Sequence, residues 1–116
     1  MIGLGIDAVD VDRFDQLLAR QPRMRERLFT DSEREVHATA RLAARFAVKE
    51  AVMKAMGVGL GAFGWHEVET RRTDSGAPEL VLSGQAASLA AEQGITRWMV
   101  SLTHTDTTAV AVVTAL

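Results

Sequence analysis

Residues 2–7 alternate in character, with Ile2, Leu4 and Ile6 toward one face and Gly3, Gly5 and Asp7 toward the other. This period of two predicts a strand ending at Asp7. Asp12 is placed to cap a helix whose apolar positions are Phe14, Leu17 and Leu18, and Pro22 ends that helix or starts a new turn. "TDSE" at 30–33 has the Thr–Glu spacing of a capping box. Helical periodicity continues from there to about Met56, with a break near His37–Thr39, and Gly57 and Gly59 end it. Strands are expected at 65–71 and 78–82 around the turn "TDSG", followed by a helix capped by Ser83 and stopped at Gly94. "TRWMVSLTH" (96–104) and "TAVAVVTAL" (108–116) read as a final hairpin. No repeat, low-complexity tract or linker divides the chain. The order β-α-α-β-β-α-β-β predicts an α+β fold, with helices packed on a mostly antiparallel sheet and one domain spanning 1–116.

Composition narrows the chemistry. Apolar residues make up 47% of the 116 positions and charged residues 24%, an ordinary globular balance. No apolar run reaches the roughly 18 residues of a membrane span. The first residues, "MIGLGIDAVDVDRF", lack the basic flank of a signal peptide. With no Cys, disulfides, thiolate nucleophiles and Cys-based zinc sites are excluded, and a cytoplasmic setting fits. The formal net charge of -2 argues against a nucleic-acid binder. That charge is unevenly spread. Arg13, Arg20, Arg23, Arg25 and Arg27 face only Asp15 and Glu26 within residues 13–27. A basic segment on an acidic protein suggests an acidic partner, although a solvated helix face would look the same.

The stretch "RFAVKEAVMKAMG" (45–57) carries the densest mixture of charge and apolar bulk. Ala40, Ala44, Ala47, Ala51 and Ala55 recur at helical spacing, a thin stripe that allows another backbone to come close. Phe46, Glu50, Lys54 and Gly57 form an adjacent row, with Arg45 and Lys49 beside it. Glu50 and Lys54 have the i,i+4 spacing of an ordinary surface ion pair, worth about 0.3–0.5 kcal/mol. Against that reading, three cations accompany one carboxylate, and the helix ends at "GVGLG", where glycines let backbone approach a ligand. Asp7, at the end of a Gly-rich strand, supplies a second carboxylate. Mg²⁺ is held by one or two carboxylates with water and substrate phosphate oxygens, so Asp7 and Glu50 are candidate metal ligands beside a phosphate site.

"GIDAVDVDRF" (5–14), "LFTDSERE" (28–35), "RFAVKEAVMKAMGVG" (45–59), "SGAP" (75–78) and "VSLTHT" (100–105) together resemble the motifs of the holo-acyl-carrier-protein synthases, the small free-standing class of 4′-phosphopantetheinyl transferases. The resemblance implies transfer of phosphopantetheine from coenzyme A to a serine of acyl carrier protein, with release of 3′,5′-ADP, in lipid metabolism. It implies Mg²⁺ on Asp7 and Glu50, Lys54 against the coenzyme A phosphates, and Arg45 and His104 near the cofactor. Lys49, Gly57, Pro78 and Thr105, in or beside the same motifs, are the further candidate cofactor contacts. It also implies a homotrimer with sites between subunits, and docking of the acidic carrier on Arg13, Arg20 and Arg23. A nucleophile that belongs to the substrate agrees with the lack of Cys and of any G-x-S-x-G elbow.

The chain departs from that pattern in three places. The stretch between "FTDSE" and "RFAVKE" is shorter than the resemblance implies, Ala77 stands where Lys or Arg is often found, and Val58 replaces a hydroxyl residue. Two rival readings use the same residues: a Mg²⁺-dependent phosphohydrolase with water as nucleophile, and a non-catalytic carrier-binding module.

Overall fold

The computed structural model describes residues 1–116. Strand β1 (Gly3–Asp10) leads into helices α1 (Val11–Arg20) and α2 (Met24–Leu28). A 3-10 turn (Glu33–Glu35) precedes the long helix α3 (Thr39–Met56), and a second (Trp65–Glu67) precedes the hairpin β2 (Val68–Arg72) and β3 (Pro78–Leu82). Helix α4 (Gly84–Glu92) and a second hairpin, β4 (Trp98–His104) and β5 (Thr108–Ala115), complete the chain. The expected α+β class holds, but the sheet is two sheets. β1, β5 and β4 form an antiparallel sheet in that order, and β2–β3 stands as a separate antiparallel ribbon.

Helix α3 occupies the centre. Most of its residues from Leu42 to Met56 are buried, as expected of a helix that is apolar on nearly all sides. The exceptions, Phe46, Glu50 and Lys54, are the row predicted from spacing. The alanine stripe lies under β1, and the contact is backbone against backbone. A Cβ added to Gly5 would sit 1.8 Å from the Ala51 carbonyl oxygen, and one added to Gly3 would sit 1.9 Å from that of Ala55. The small-residue face of β1 is therefore the inner one. Its aliphatic face points outward, leaving Leu4 57% and Ile6 59% exposed.

Several boundaries differ from the sequence-based expectation. β1 runs on to Asp10, whose carboxylate accepts from the Arg13 amide at 2.9 Å, so Asp10 and not Asp12 caps α1. The Thr30–Glu33 capping box forms reciprocally, at 3.1 and 3.2 Å, but it caps a single 3-10 turn. The chain then extends through Val36–Ala38 before α3 begins, which places the break where the periodicity faltered. Ser83 precedes α4 without a side-chain bond; the Glu67 carboxylate takes the Gln85 amide instead.

Because the β1–α3 contact involves main-chain atoms on the helix side, no rotamer change can relieve an added methyl. Gly5→Ala should lower the unfolding free energy by about 3 kcal/mol. A urea midpoint equal to wild type would mean that strand and helix can separate freely.

Candidate active site

The close approach of β1 and α3 delivers Asp7 to the exposed row of α3. Lys54 reaches across the gap, donating from Nζ to the Ile6 carbonyl at 3.0 Å and to Asp7 Oδ1 at 3.1 Å. The Asp7 side chain is 17% exposed and that of Lys54 55%. Lys54 therefore pairs with Asp7 and not with Glu50, which forms no ion pair. Burial raises the Glu50 carboxyl above its ordinary range, the negative charge of Asp7 raises it further, and Lys54 opposes both. A carboxylate raised by burial and by a neighbouring carboxylate, and without an ion-pair partner of its own, forms with that neighbour a locus suited to a cation. Gly57 closes the same end of the helix in the left-handed region (φ 69°), a conformation that favours glycine.

Arg45 faces elsewhere. Five residues from Glu50, it is turned by about 140° around the helix axis. Its side chain lines a group of open depressions, two of them bordered by β4 and the largest, about 490 Å³, by the 32–38 segment and β2. Arg41 and Arg72 line the same basin, Pro78 borders it from β3, and His104 borders it from the end of β4. Arg45 is only 7% exposed, yet its single hydrogen bond is from Nη1 to the Arg41 carbonyl, and its Nε has no partner. The buried Thr70 hydroxyl is likewise unpartnered. Burial lowers the Arg45 pKa, the charges of Arg41 and Arg72 lower it further, and Glu33 counteracts them. Buried donors without partners in a self-repelling cluster suit an anion.

The residues expected around the cofactor thus fall into two groups. Asp7, Glu50, Lys54 and Gly57 gather at strand β1, one edge of the three-stranded sheet. Arg45, Pro78 and His104 gather at strand β4, the other edge. Asp7 is in register with Ala111 and Ala111 with Leu102, so two strand spacings, about 10 Å, separate the edges. Thr105 follows His104 and spends its hydroxyl on the β4–β5 turn, accepting from the Thr107 and Thr108 amides.

Lys49 is a correction. The structure removes it from the cofactor contacts, because its side chain is fully buried. Nζ donates to Glu33 Oε1 at 2.8 Å, to the Trp65 carbonyl at 2.8 Å and to the Val68 carbonyl. Desolvation lowers its pKa, and the Glu33 carboxylate opposes the shift. Arg41 and Arg72 are basin residues that the sequence reading missed. Arg41 could have been found by extending the Arg45 row back one helical turn, whereas Arg72 in its ribbon carries no local signal. Arg13, Arg20 and Arg23 are exposed and form no ion pairs, while Phe14 and Leu18 on the opposite side of α1 are buried.

The profile of the 4′-phosphopantetheinyl transferase superfamily matches residues 3–113. The holo-[acyl-carrier-protein] synthase of Frankia casuarinae is 48% identical over 115 residues, covering 99% of this chain and 97% of its own. That of Moorella thermoacetica is 42% identical over 97% of this chain and 91% of its own. Among solved structures, holo-[acyl-carrier-protein] synthase from Neisseria meningitidis aligns with a TM-score of 0.91 at 31% identity, over 100% of this chain and 99% of its own. The Helicobacter pylori enzyme, in complex with coenzyme A, aligns with a TM-score of 0.88 at 27% identity, over 97% and 99%. This chain belongs to the 4′-phosphopantetheinyl transferase superfamily, within its holo-acyl-carrier-protein synthases.

Proposed function

We propose that the enzyme transfers 4′-phosphopantetheine from coenzyme A to a serine of apo-acyl carrier protein and releases 3′,5′-ADP, with Asp7 and Glu50 holding Mg²⁺. The observation that carries this reading is the Asp7–Glu50 pair, with Lys54 bonded to one carboxylate and the other left without a cation. No third His, Cys, Asp or Glu joins the pair. Two hard oxygen donors and open solvent fit Mg²⁺, which fills its remaining positions with water and phosphate oxygens. When bound, the metal would offset the negative charge of the pyrophosphate.

The residues divide the remaining work. Lys54 is anchored by the Ile6 carbonyl and Asp7, so its ammonium is held at the place where phosphate charge must be met. The Arg45 basin, with Arg41 and Arg72, takes the other anionic end of coenzyme A. The serine hydroxyl gives up its proton, which ends in solvent, as its oxygen bonds to the phosphorus carrying the pantetheine arm and the bond from that phosphorus to the bridging oxygen breaks. That oxygen leaves with 3′,5′-ADP. Catalysis is positioning and charge stabilisation, as in phosphoryl transfer generally. Arg13, Arg20 and Arg23 dock the acidic carrier protein. Complementary charge patches of this kind steer association and are screened by salt.

The enzyme acts as a homotrimer in this reading, with each site shared between copies. Its support is the placement of the two groups on opposite sheet edges, together with the outward apolar face on which Ile2, Leu4, Ile6 and Met99 are 48–59% exposed alongside Met1. Burying that face against a second copy would bring one copy's β1 edge toward another's β4 edge.

Incubation with coenzyme A, Mg²⁺ and apo-carrier should add the mass of one phosphopantetheinyl group to the carrier. Asp7→Asn should lower turnover at least about a hundredfold with little change in melting temperature. Near-normal turnover at ordinary Mg²⁺ would remove Asp7 from the metal site. Coenzyme A cleavage with no gain in carrier mass would point to a hydrolase.

Arg13→Glu with Arg20→Glu should raise the KM for carrier protein several-fold at low salt and flatten its salt dependence. The KM for coenzyme A should stay within twofold. An unchanged carrier KM would place docking on another surface.

Light scattering at micromolar concentration should give three times the chain mass. Co-expressed Asp7→Asn and Arg45→Ala chains should recover activity that neither has alone, since mixed trimers contain sites with both intact groups. A monomer mass, or no recovery in mixed oligomers, would place the whole site on one chain.

A further inference from the structure

Three stretches of chain meet at one buried ion pair. Glu33 and Lys49 have fully buried side chains, 2.8 Å apart. Lys49 Nζ also donates to the carbonyls of Trp65 and Val68, and the Glu33 carboxylate also accepts from the Thr30 amide at 3.1 Å and the Thr70 amide at 3.1 Å. The pair therefore joins α3, the 3-10 turn at 33–35 and the beginning of β2. Each stretch supplies a wall of the arginine basin. Arg45 sits one helical turn before Lys49, Thr70 and Arg72 come from β2, and Ser32 and Glu35 come from the turn.

Stability alone accounts poorly for such a pair. Two charges lose their hydration on burial, and apolar replacements of similar size are often neutral or stabilising. What apolar side chains cannot supply is direction. One ammonium fixes two carbonyls of the Trp65–Val68 segment, and one carboxylate fixes the amide of Thr70. The basin resists such closeness, because Arg41, Arg45 and Arg72 repel one another across it. Glu33 is the negative charge that favours the ionised form of Arg45.

We propose that Glu33 and Lys49 are positioning residues for the coenzyme A end of the reaction: without touching the cofactor, they hold β2 and the 33–35 turn at a fixed separation from Arg45. This rests on the reading of the basin as the cofactor's anion site.

The test compares Lys49→Met with the double variant Lys49→Met/Glu33→Leu. The single variant leaves a buried carboxylate without its partner and should melt well below wild type. The double variant removes the unpaired buried charge and should melt above the single variant, though below wild type because the backbone groups that the pair satisfied lose their partners. Its KM for coenzyme A should nevertheless stay raised by roughly tenfold, with kcat and carrier KM near wild type. Calorimetry with adenosine 3′,5′-bisphosphate as the probe should show the same loss of affinity. A wild-type coenzyme A KM in the double variant, or equal increases in both KM values, would overturn the proposal. Should that variant not fold, Glu33→Asp, which keeps the charge but withdraws the carboxylate by one methylene, should raise the coenzyme A KM selectively, and an unchanged value overturns the proposal. If the wild-type enzyme adds no phosphopantetheine to the carrier yet binds the bisphosphate, the transferase reading fails separately.

Discussion

The approach of β1 to α3 is the constraint on which the site depends. Gly3 and Gly5 lie so close to the carbonyls of Ala55 and Ala51 that no side chain fits between them. Alanine on one partner and glycine on the other let strand and helix pack through main-chain atoms, a harder and less adjustable contact than interdigitated side chains. Asp7 is two residues beyond Gly5 on the same face of the strand. Its height above the helix is therefore set by backbone, and Glu50 and Lys54 emerge from the helix beside it. Functional geometry held by main-chain contact does not depend on a rotamer settling correctly.

That arrangement also explains how one helix carries so many charges among apolar neighbours. Successive residues step around the axis by about 100°, so adjacent charges need not share an environment. Lys49 points into the interior and is fully bonded there. Arg45 points to the basin, nearly enclosed and short of partners. Glu50 and Lys54 point to the gap beside β1. The helix is a hub that sends a different charge toward each surface it touches. Its low amphipathicity is a consequence of being covered on nearly every side.

The alternation in residues 2–7 was legible as a strand, and the alanine spacing announced that something would pack closely on the helix. Which face of the strand lay inward was less obvious. Burial of Ile2, Leu4 and Ile6 is the usual expectation for a half-buried strand, whereas here the glycine face is inside, because close approach to α3 excludes larger residues. Lys49 was misplaced for a related reason. A lysine beside a Glu–Lys row reads as one more exposed cation, and its partner Glu33 is 16 residues away in a motif that already had a local role as a cap. Glu33 performs both roles, using one carboxylate to close the 3-10 turn and to meet Lys49. Pairings across such distances leave no periodic trace. The same holds for Arg72, which joins Arg45 only because the β2–β3 ribbon folds back over the β4 side of the sheet.

The placement of the two charged groups on opposite sheet edges has a physical rationale in the size of the chain. A domain of 116 residues buries a smaller share of its surface than a large one and has little material for enclosing a long, multiply charged ligand. Gathering all the cations on one face would add repulsion to a fold with limited stability to oppose it. Separating Lys54 from the Arg41–Arg45–Arg72 cluster keeps the chain's positive charge divided. The exposed aliphatic face of β1 then becomes useful. In the proposed homotrimer, association through it would bury the surface that the glycine–alanine packing turned outward and would bring opposite edges of neighbouring sheets toward each other. The close packing that fixes Asp7 is thus also the reason that Ile2, Leu4 and Ile6 face outward and available for assembly.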